Sequence, residues 1–378
     1  MSLPTLMVLD GEIKATLGIV RSLGRRGIQI MVGSSNPRGR SGFSRYAQRR
    51  FTYIPPNKDL AIAHSMIMRR VQEWRPDILM PLFTAGWEVV YAFYEEYSGL
   101  TTVVPNPGKE LFESLYDKSL LADYADEHEV QIPMTFCPQT MKEAVELRES
   151  LPYPVLLKPR KAVDGAGIQL VTSPAELVAV LKQFQRIPVI QEKIEGEDLE
   201  LTILCINGLA IAASAYISLR NMPLPYGPPV ACRTIRDEPL MRTGMEFLRR
   251  LHYHGVAHLD FRRDKRDGQA KLLDFNPRIA GSNDSSLCSG VDFAYMLYQL
   301  ARGEKVDPRF DYELGKEFRY LWPGELRHLA QTDCKSQTVS DLLRWDNVDT
   351  DISLFDPLPN FIDIINHLPK MLWLSAKK

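Results

Sequence analysis

The chain has 378 residues, with 46 Lys and Arg against 47 Asp and Glu for a formal net charge of −1, and 45% of its residues are hydrophobic. That length exceeds one ordinary hydrophobic core and predicts two or three domains of soluble globular type. The near-neutral balance excludes a global field for nucleic acid, no apolar run reaches transmembrane length, and the first residues lack the features of a signal peptide.

Residues 1–114 alternate strand and helix. Residues 5–9 predict a strand, followed by a helix to Gly27. Residues 28–32 and 51–54 predict the next strands, and 60–74 a long helix. Residues 77–82 and 101–104 predict further strands, with 87–97 helical between them. This is the rhythm of a parallel sheet covered by helices. The first turn, Leu9-Asp-Gly-Glu-Ile-Lys-Ala15, has no G-x-G-x-x-G, and no G-x-x-x-x-G-K-[ST] occurs in the chain. Neither a standard dinucleotide site nor a P-loop is therefore expected. Asp10-Gly11 and the loop 83–87 are candidates for lining a substrate pocket, although plain scaffold is the simpler reading of each residue alone. The basic run 38–50 is interrupted by Gly and Ser and reads as a surface loop.

Pro105-Asn-Pro-Gly108 breaks the pattern. A helix is expected from 109 to about 128, with Lys118 midway, and a short charged helix over 141–150. Within 153–172 a strand ends at Lys158, a loop carries Gly165 and Gly167, and another strand follows. Glycines let backbone N–H groups approach phosphate oxygens, and a lysine meets them as a point charge. Taken alone, such a loop is more simply a turn. Residues 188–205 read as a strand, a polar hinge and a second strand. Glu192 at the strand end, with a Gly turn after it, suits an adenine seated by backbone contacts and an acid for the ribose. An ordinary acidic crossover is the simpler reading of that stretch alone. Residues 209–217 predict a strand, 220–229 a Pro-rich loop able to cover a site, 230–234 a strand and 238–252 a helix.

Residues 255–282 are the most informative. Val256, His258 and Asp260 alternate with Ala257, Leu259 and Phe261, the period of a strand. Asp267-Gly268 marks a tight turn, and the return strand runs to Phe275. Asp274 and Asn276 share one face, and Asp260 can lie across the hairpin from them, with Arg278 just beyond. Two carboxylates and an amide oxygen are hard ligands of the kind that hold Mg²⁺ together with phosphates. A solvated hairpin explains Asp264 and Asp267. It does not explain Asp274, which sits between Leu272-Leu273 and Phe275-Asn276-Pro277. The series His252, His254, His258 raises zinc, but the first two close a helix, the third lies on a strand, and no Cys is near. Residues 288–303 predict a helix after the 281–286 loop. Residues 361–373, with Leu368, Met371, Leu372 and Trp373, predict an amphipathic helix docked on the body. The cysteines, at 137, 205, 232, 288 and 334, are odd in number, scattered and without a Cys-x-x-Cys pair. They read as reduced, mostly buried thiols of a cytoplasmic protein.

The order of these pieces is Lys118, Lys158 before Gly165 and Gly167, Gln191-Glu192, then Asp260, Asp274, Asn276-Pro-Arg278. In that order the chain resembles the ATP-grasp superfamily, and within it the carbamoyl-phosphate-synthase-like and carboxylate–amine ligases, over residues 1 to about 305. The strongest parts are Leu-Leu-Asp-Phe-Asn-Pro-Arg and the stretch from Lys158 to Gly167. The resemblance implies an α/β and α+β fold. An N-terminal pre-ATP-grasp (Rossmann-like) domain at 1–114 would precede a two-subdomain ATP-grasp fold at 115–330, with a lid subdomain at about 130–192 and a helical tail at 331–378.

The same resemblance implies site roles. Lys118 and Lys158 would contact the ATP phosphates, and residues 164–168, with Gly165 and Gly167, would close over them. Gln191, Glu192 and Ile194 would lie by the adenine, and Glu197 or Asp198 by the ribose. Asp260, Asp274 and Asn276 would bind Mg²⁺, with Mn²⁺ as an alternative. Arg233 and Arg278 would be catalytic, at the γ-phosphate and an acyl phosphate. Gly281 and Ser282 would touch the acid substrate. The implied activity is an ADP-forming ligase joining a small-molecule carboxylic acid and an amine, with no nucleic-acid or membrane partner and a homodimer allowed. A carboxylase or kinase, or a non-catalytic nucleotide-binding regulator, is the alternative; no Ala-Met-Lys-Met biotin-carrier run is present. In one respect the chain departs from the family, which usually has Glu where Asp274 stands, and the shorter side chain bears on how many metals are held.

Overall fold

A computed structural model describes residues 3–162 and 165–375, the last eight as backbone alone. Three sheets organise it. The first is all parallel, in the order Ala47–Thr52, Ile30–Ser34, Leu6–Val8, Ile78–Met80, Thr102–Val103. Its strands Leu6–Val8 and Ile78–Met80 are wholly apolar and buried, as strands covered on both faces must be. Helix Lys14–Arg25 packs Ala15, Ile19, Val20 and Leu23 into this core. Helix Leu60–Trp74 starts where the Asp59 side chain accepts the Ile62 amide, an N-cap worth about 1 kcal/mol.

The basic run 38–50 is not a surface loop. Residues Ala47–Thr52 form the edge strand, earlier in the chain than expected, and Arg40 is only 4% exposed. Its guanidinium reaches Asp351 at 2.9 Å and Asp363 at 3.0 Å.

The second sheet has seven strands in the order Ala270–Asn276, Gly255–Asp264, Gly196–Ile206, Leu209–Asn221, Pro229–Ile235, Glu317–Arg319, Val348–Thr350. All its pairs are antiparallel except the last. Period-two alternation splits its central strands into two faces. Leu199, Leu201, Ile203, Leu259, Phe261 and Phe275 form an apolar core with Phe247 and Leu248 of helix Glu238–Arg250. Each such side chain contributes about 1.5–3 kcal/mol by burial. The opposite face carries acids, His258 and hydroxyls.

The third sheet is antiparallel, in the order Thr135–Phe136, Val189–Glu192, Val155–Lys158, Gln169–Val171. It has its own small core around Leu157, Val171, Leu177 and Ile190.

Several boundaries differ from expectation. The helix expected over 109–128 is two helices, Lys109–Tyr116 and Lys118–Glu127. Asp117 breaks it, because its carboxylate caps the Ser119 amide at 3.0 Å, and Lys118 becomes a first-turn residue. The single helix expected over 288–303 is replaced by Asp284–Cys288 and Phe293–Ala301. The segment after 330 is not purely helical. Helix Lys335–Leu343 leads to Val348–Thr350, the edge strand of the seven-stranded sheet, and then helix Leu358–Ser375. The side chains of Leu368, Met371, Leu372 and Trp373 lie outside the described residues. Among the described residues all five cysteines are free, with Cys205 and Cys232 buried and Cys334 exposed. No described helix is long and apolar enough to cross a membrane.

Candidate active site

A cleft opens where the four-stranded sheet faces the polar side of the seven-stranded one. Strand register builds its floor. Asp260 lies opposite Asp274 and His258 opposite Asn276. On the other flank Glu200 lies opposite Asp260, and Thr202 opposite His258. A β-bulge adjusts the result, since Phe261 pairs with Leu272 while Asp260 pairs with Asp274. The extra residue, Leu273, breaks the alternation. Both Leu273 and Asp274 then line the cleft, and Phe275 returns to the core.

Cations face these acids. Lys158 is buried at the end of its strand and donates to Gln191 Oε1 at 2.6 Å. Burial, and then the neighbouring charge of Lys118, push its pKa down to about 8. Lys118 donates to both Asp274 carboxylate oxygens, at 3.0 and 2.9 Å, and to the Ala162 carbonyl at 3.3 Å. Arg278 donates to Asn276 Oδ1 at 2.9 Å, to the Ile279 carbonyl at 2.8 Å and to Thr84 Oγ1 at 3.2 Å. The Asn276 amide donates to Asp260 Oδ2 at 3.0 Å.

Beneath them His258 Nε2 stands 3.0 Å from Glu200 Oε2 and 2.9 Å from Asp260 Oδ1, with Nδ1 3.0 Å from Thr202 Oγ1. Burial opposes its charge, but the two carboxylates prevail and raise its pKa to about 9. Burial raises Glu200. It works the same way on Asp260, where His258, Arg278 and Lys118 prevail and hold the carboxyl below the usual range. Hard oxygens from Asp260, Asp274 and Asn276 are chemically suited to a divalent cation. Glu200, His258 and Asp260 also present ligand-type atoms within 4.8 Å of one another, although His258 already binds both acids. His252 and His254 are not part of that group.

Leu156, Ile168, Ile194 and Leu273 line an apolar part of the cleft beside the hinge between Glu192 and Gly196. The Glu192 amide donates to the Met134 carbonyl at 2.8 Å, and its carboxylate pairs with Arg266. Asp198 accepts from Arg262 at 2.6 Å. Gly165 has φ 71°, and a Cβ there would stand 2.0 Å from the Tyr226 carbonyl oxygen. The glycine loop thus presses on the Pro-rich segment, which also lines the cleft.

Lys118, Lys158, Gly165, Gln191, Glu192, Ile194 and Asp198 therefore lie in one cleft, together with Asp260, Asp274, Asn276, Arg278, Gly281 and Ser282. Three expected residues do not line it. Glu197 points outward and is exposed. Gly167 lies in a separate groove beside Asp117 and Arg160. Arg233 is half-exposed on strand Pro229–Ile235 and pairs at 3.9 Å with Glu317 of the adjoining strand. Local pattern alone does not place Glu200 or His258 in the site. For Glu200 the signal is the polar alternation Asp198-Leu-Glu200-Leu-Thr202.

Residues 115–282 match the ATP-grasp domain, and those limits enclose every residue lining the cleft. Over that segment the chain is thus similar to ATP-grasp proteins. The carbamoyl phosphate synthase large chain of Methanothermobacter thermautotrophicus is 21% identical over 308 residues, which are 76% of this chain and 28% of that protein. The chain therefore spans little more than a quarter of that relative's length. Among solved structures, the biotin carboxylase domain of Hydrogenobacter thermophilus 2-oxoglutarate carboxylase, determined with MgADP, ADP and bicarbonate, gives a TM-score of 0.66 at 16% identity, covering 84% of this chain and 74% of that one. The L-amino acid ligase of Bacillus licheniformis gives 0.61 at 19% identity, covering 80% and 74%. The fold is shared: α/β at the N-terminus, then the α+β ATP-grasp arrangement.

Proposed function

We propose that the protein is an ATP-dependent ligase that joins a carboxylic acid to an amine through an acyl phosphate, releasing ADP and phosphate. The observation carrying this reading is the single cleft in which Lys118, Lys158 and Arg278 face Asp260, Asp274 and Asn276. Leu156, Ile168, Ile194 and Leu273 would enclose the adenine, Glu192 would border it, and Asp198 would meet the ribose. Lys118 and Lys158 would hold the phosphates. Asp260, Asp274 and Asn276 would hold Mg²⁺, with Mn²⁺ as an alternative. Bound there, the metal supplies charge neutralisation on the phosphate oxygens. Lys118 now pairs with Asp274. The nucleotide would draw Lys118 onto its phosphates and release Asp274 as a ligand.

Such chemistry needs no nucleophilic side chain. A substrate carboxylate oxygen attacks the γ-phosphorus, and ADP leaves. The amine then attacks the acyl carbon, loses a proton, and expels phosphate with its C–O bond. Arg278 would steady the developing charge, while Gly281 and Ser282 position the acid.

With an acid labelled with ¹⁸O in its carboxylate, one label is expected in the released phosphate, and hydroxylamine should trap a hydroxamate. Formation of AMP and pyrophosphate would refute the mechanism. Phosphate release dependent on bicarbonate, with no amine needed, would favour a carboxylase of the kind whose fold it shares. The glycine loop should close over bound nucleotide. Limited proteolysis near residues 161–168 is therefore expected to slow with ATP·Mg²⁺, and equal cutting in both conditions would count against a phosphate-covering loop.

A further inference from the structure

A second cavity of about 400 Å³ adjoins the cleft, within the size range of small-molecule sites. The two share Pro228, Arg278 and Gly281. Its walls come from loops of the N-terminal sheet and from the segment after residue 319.

The acids on these walls are already satisfied. Asp10 accepts the amides of Leu82, Phe83 and Gly86 at 3.2, 2.9 and 2.9 Å. Glu12 accepts from Ser34 and Ser35. Asp351 and Asp363 hold Arg40, and Asp363 also holds His367 at 3.3 Å. Several donors are not satisfied in this way. Arg278 meets only neutral acceptors. Arg327 makes no ion pair or hydrogen bond among the described residues, and the Trp322 indole N–H is buried without a partner among them. Buried donors left without acceptors are costly. Walls whose acceptors are filled and whose donors are open suit an anionic guest.

We propose that the acid substrate carries a second anionic group. Its reacting carboxylate lies at Arg278, where the cavities meet, and the second group, a carboxylate or a phosphate, is held by Arg327. Phe83 and Tyr320 flank the body between them. The reacting role of the first carboxylate rests on the ligase reading; the binding of a second anion does not.

The test uses the full chain with ATP·Mg²⁺ and with hydroxylamine as the amine, reading phosphate release and calorimetric binding in parallel. The probes are acetate and butyrate, succinate and glutarate, and 3-phosphoglycerate. The dicarboxylates or the phosphorylated acid are expected to bind far more tightly than the monocarboxylates, and the arm that responds identifies the second group. Arg327→Gln should weaken that binding about 30-fold, as loss of a charge-assisted contact does, with ATP affinity unchanged and partial rescue by Arg327→Lys. Equal affinity for mono- and dianions, no binding of any dianion, or unchanged binding in Arg327→Gln overturns the proposal. Dianion and ATP binding without phosphate release supports this pocket while defeating the ligase reading.

Discussion

Replacing Asp274 with alanine should lower turnover by about a thousandfold or more while ATP binding remains measurable. Asp274 faces the cleft opposite Asp260, while the bulge at Leu273 keeps Leu272 in the core. Its loss removes one of two proposed carboxylate ligands. It also frees Lys118 from its ion pair, so the lysine's pull on phosphate is not weakened. Affinity and turnover are therefore expected to separate, and calorimetry beside steady-state ADP release measures both. Asp274→Glu keeps a hard ligand one methylene longer and should retain measurable turnover. Near-normal ADP release by Asp274→Ala would remove the metal assignment.

ATP affinity should fall about tenfold between pH 7 and pH 9, because a phosphate-binding group with pKa near 8 loses its charge across that span. The group is Lys158, lowered to about 8 chiefly by burial and secondarily by Lys118. Bound phosphate favours the charged form, so binding above pH 8 should take up close to one proton. Calorimetry in buffers of different ionisation enthalpy reads that uptake directly. Lys158→Met should bind ATP about a hundredfold more weakly at pH 7 and show a flat pH profile. Wild-type affinity that is constant from pH 7 to 9 would dismiss Lys158 as the phosphate partner. Folding responds with the opposite sign. The unfolded lysine keeps its proton to about 10.5 and the folded one only to about 8, so the burial penalty on Lys158 relaxes as pH rises between those values.

Local pattern carried much of the site. Alternation puts Asp274 and Asn276 on one face, the Asp267-Gly268 turn allows Asp260 to lie across the hairpin from them, and the observed register pairs Asp260 with Asp274. The strand end at Lys158 and the hinge after Glu192 also stand where the chain suggested. What escaped depended on distant partners. Arg40 reads as one more residue of a basic loop, because Asp351 and Asp363 are 311 and 323 positions away. The resemblance implies a catalytic Arg233, whereas the structure sets it half-exposed outside the cleft, 3.9 Å from Glu317 on a strand with no signal of its own. Asp117-Lys-Ser119 did hold a cap signal that places Lys118 at a helix start, but the long helical pattern obscured it. On sequence alone His258 reads as a zinc candidate. Its two carboxylate partners become visible only when neighbouring strands are paired.

The same distant pairing bears on the order in which the chain completes itself during synthesis. Arg21 and Arg40 are buried in the N-terminal part, yet their counter-charges, Asp356, Asp351 and Asp363, emerge more than 300 residues later. A buried guanidinium deprived of its partner costs about 3–5 kcal/mol. Until residues 351–363 leave the ribosome, those two side chains are expected to stay in water, with helix Lys14–Arg25 loosely docked. The late segment then closes two things at once: it neutralises Arg21 and Arg40, and through Val348–Thr350 it adds the last strand to the seven-stranded sheet. Residues 14–40 and 348–363 reach their final form together, so the parallel sheet is completed only once residue 363 has been made.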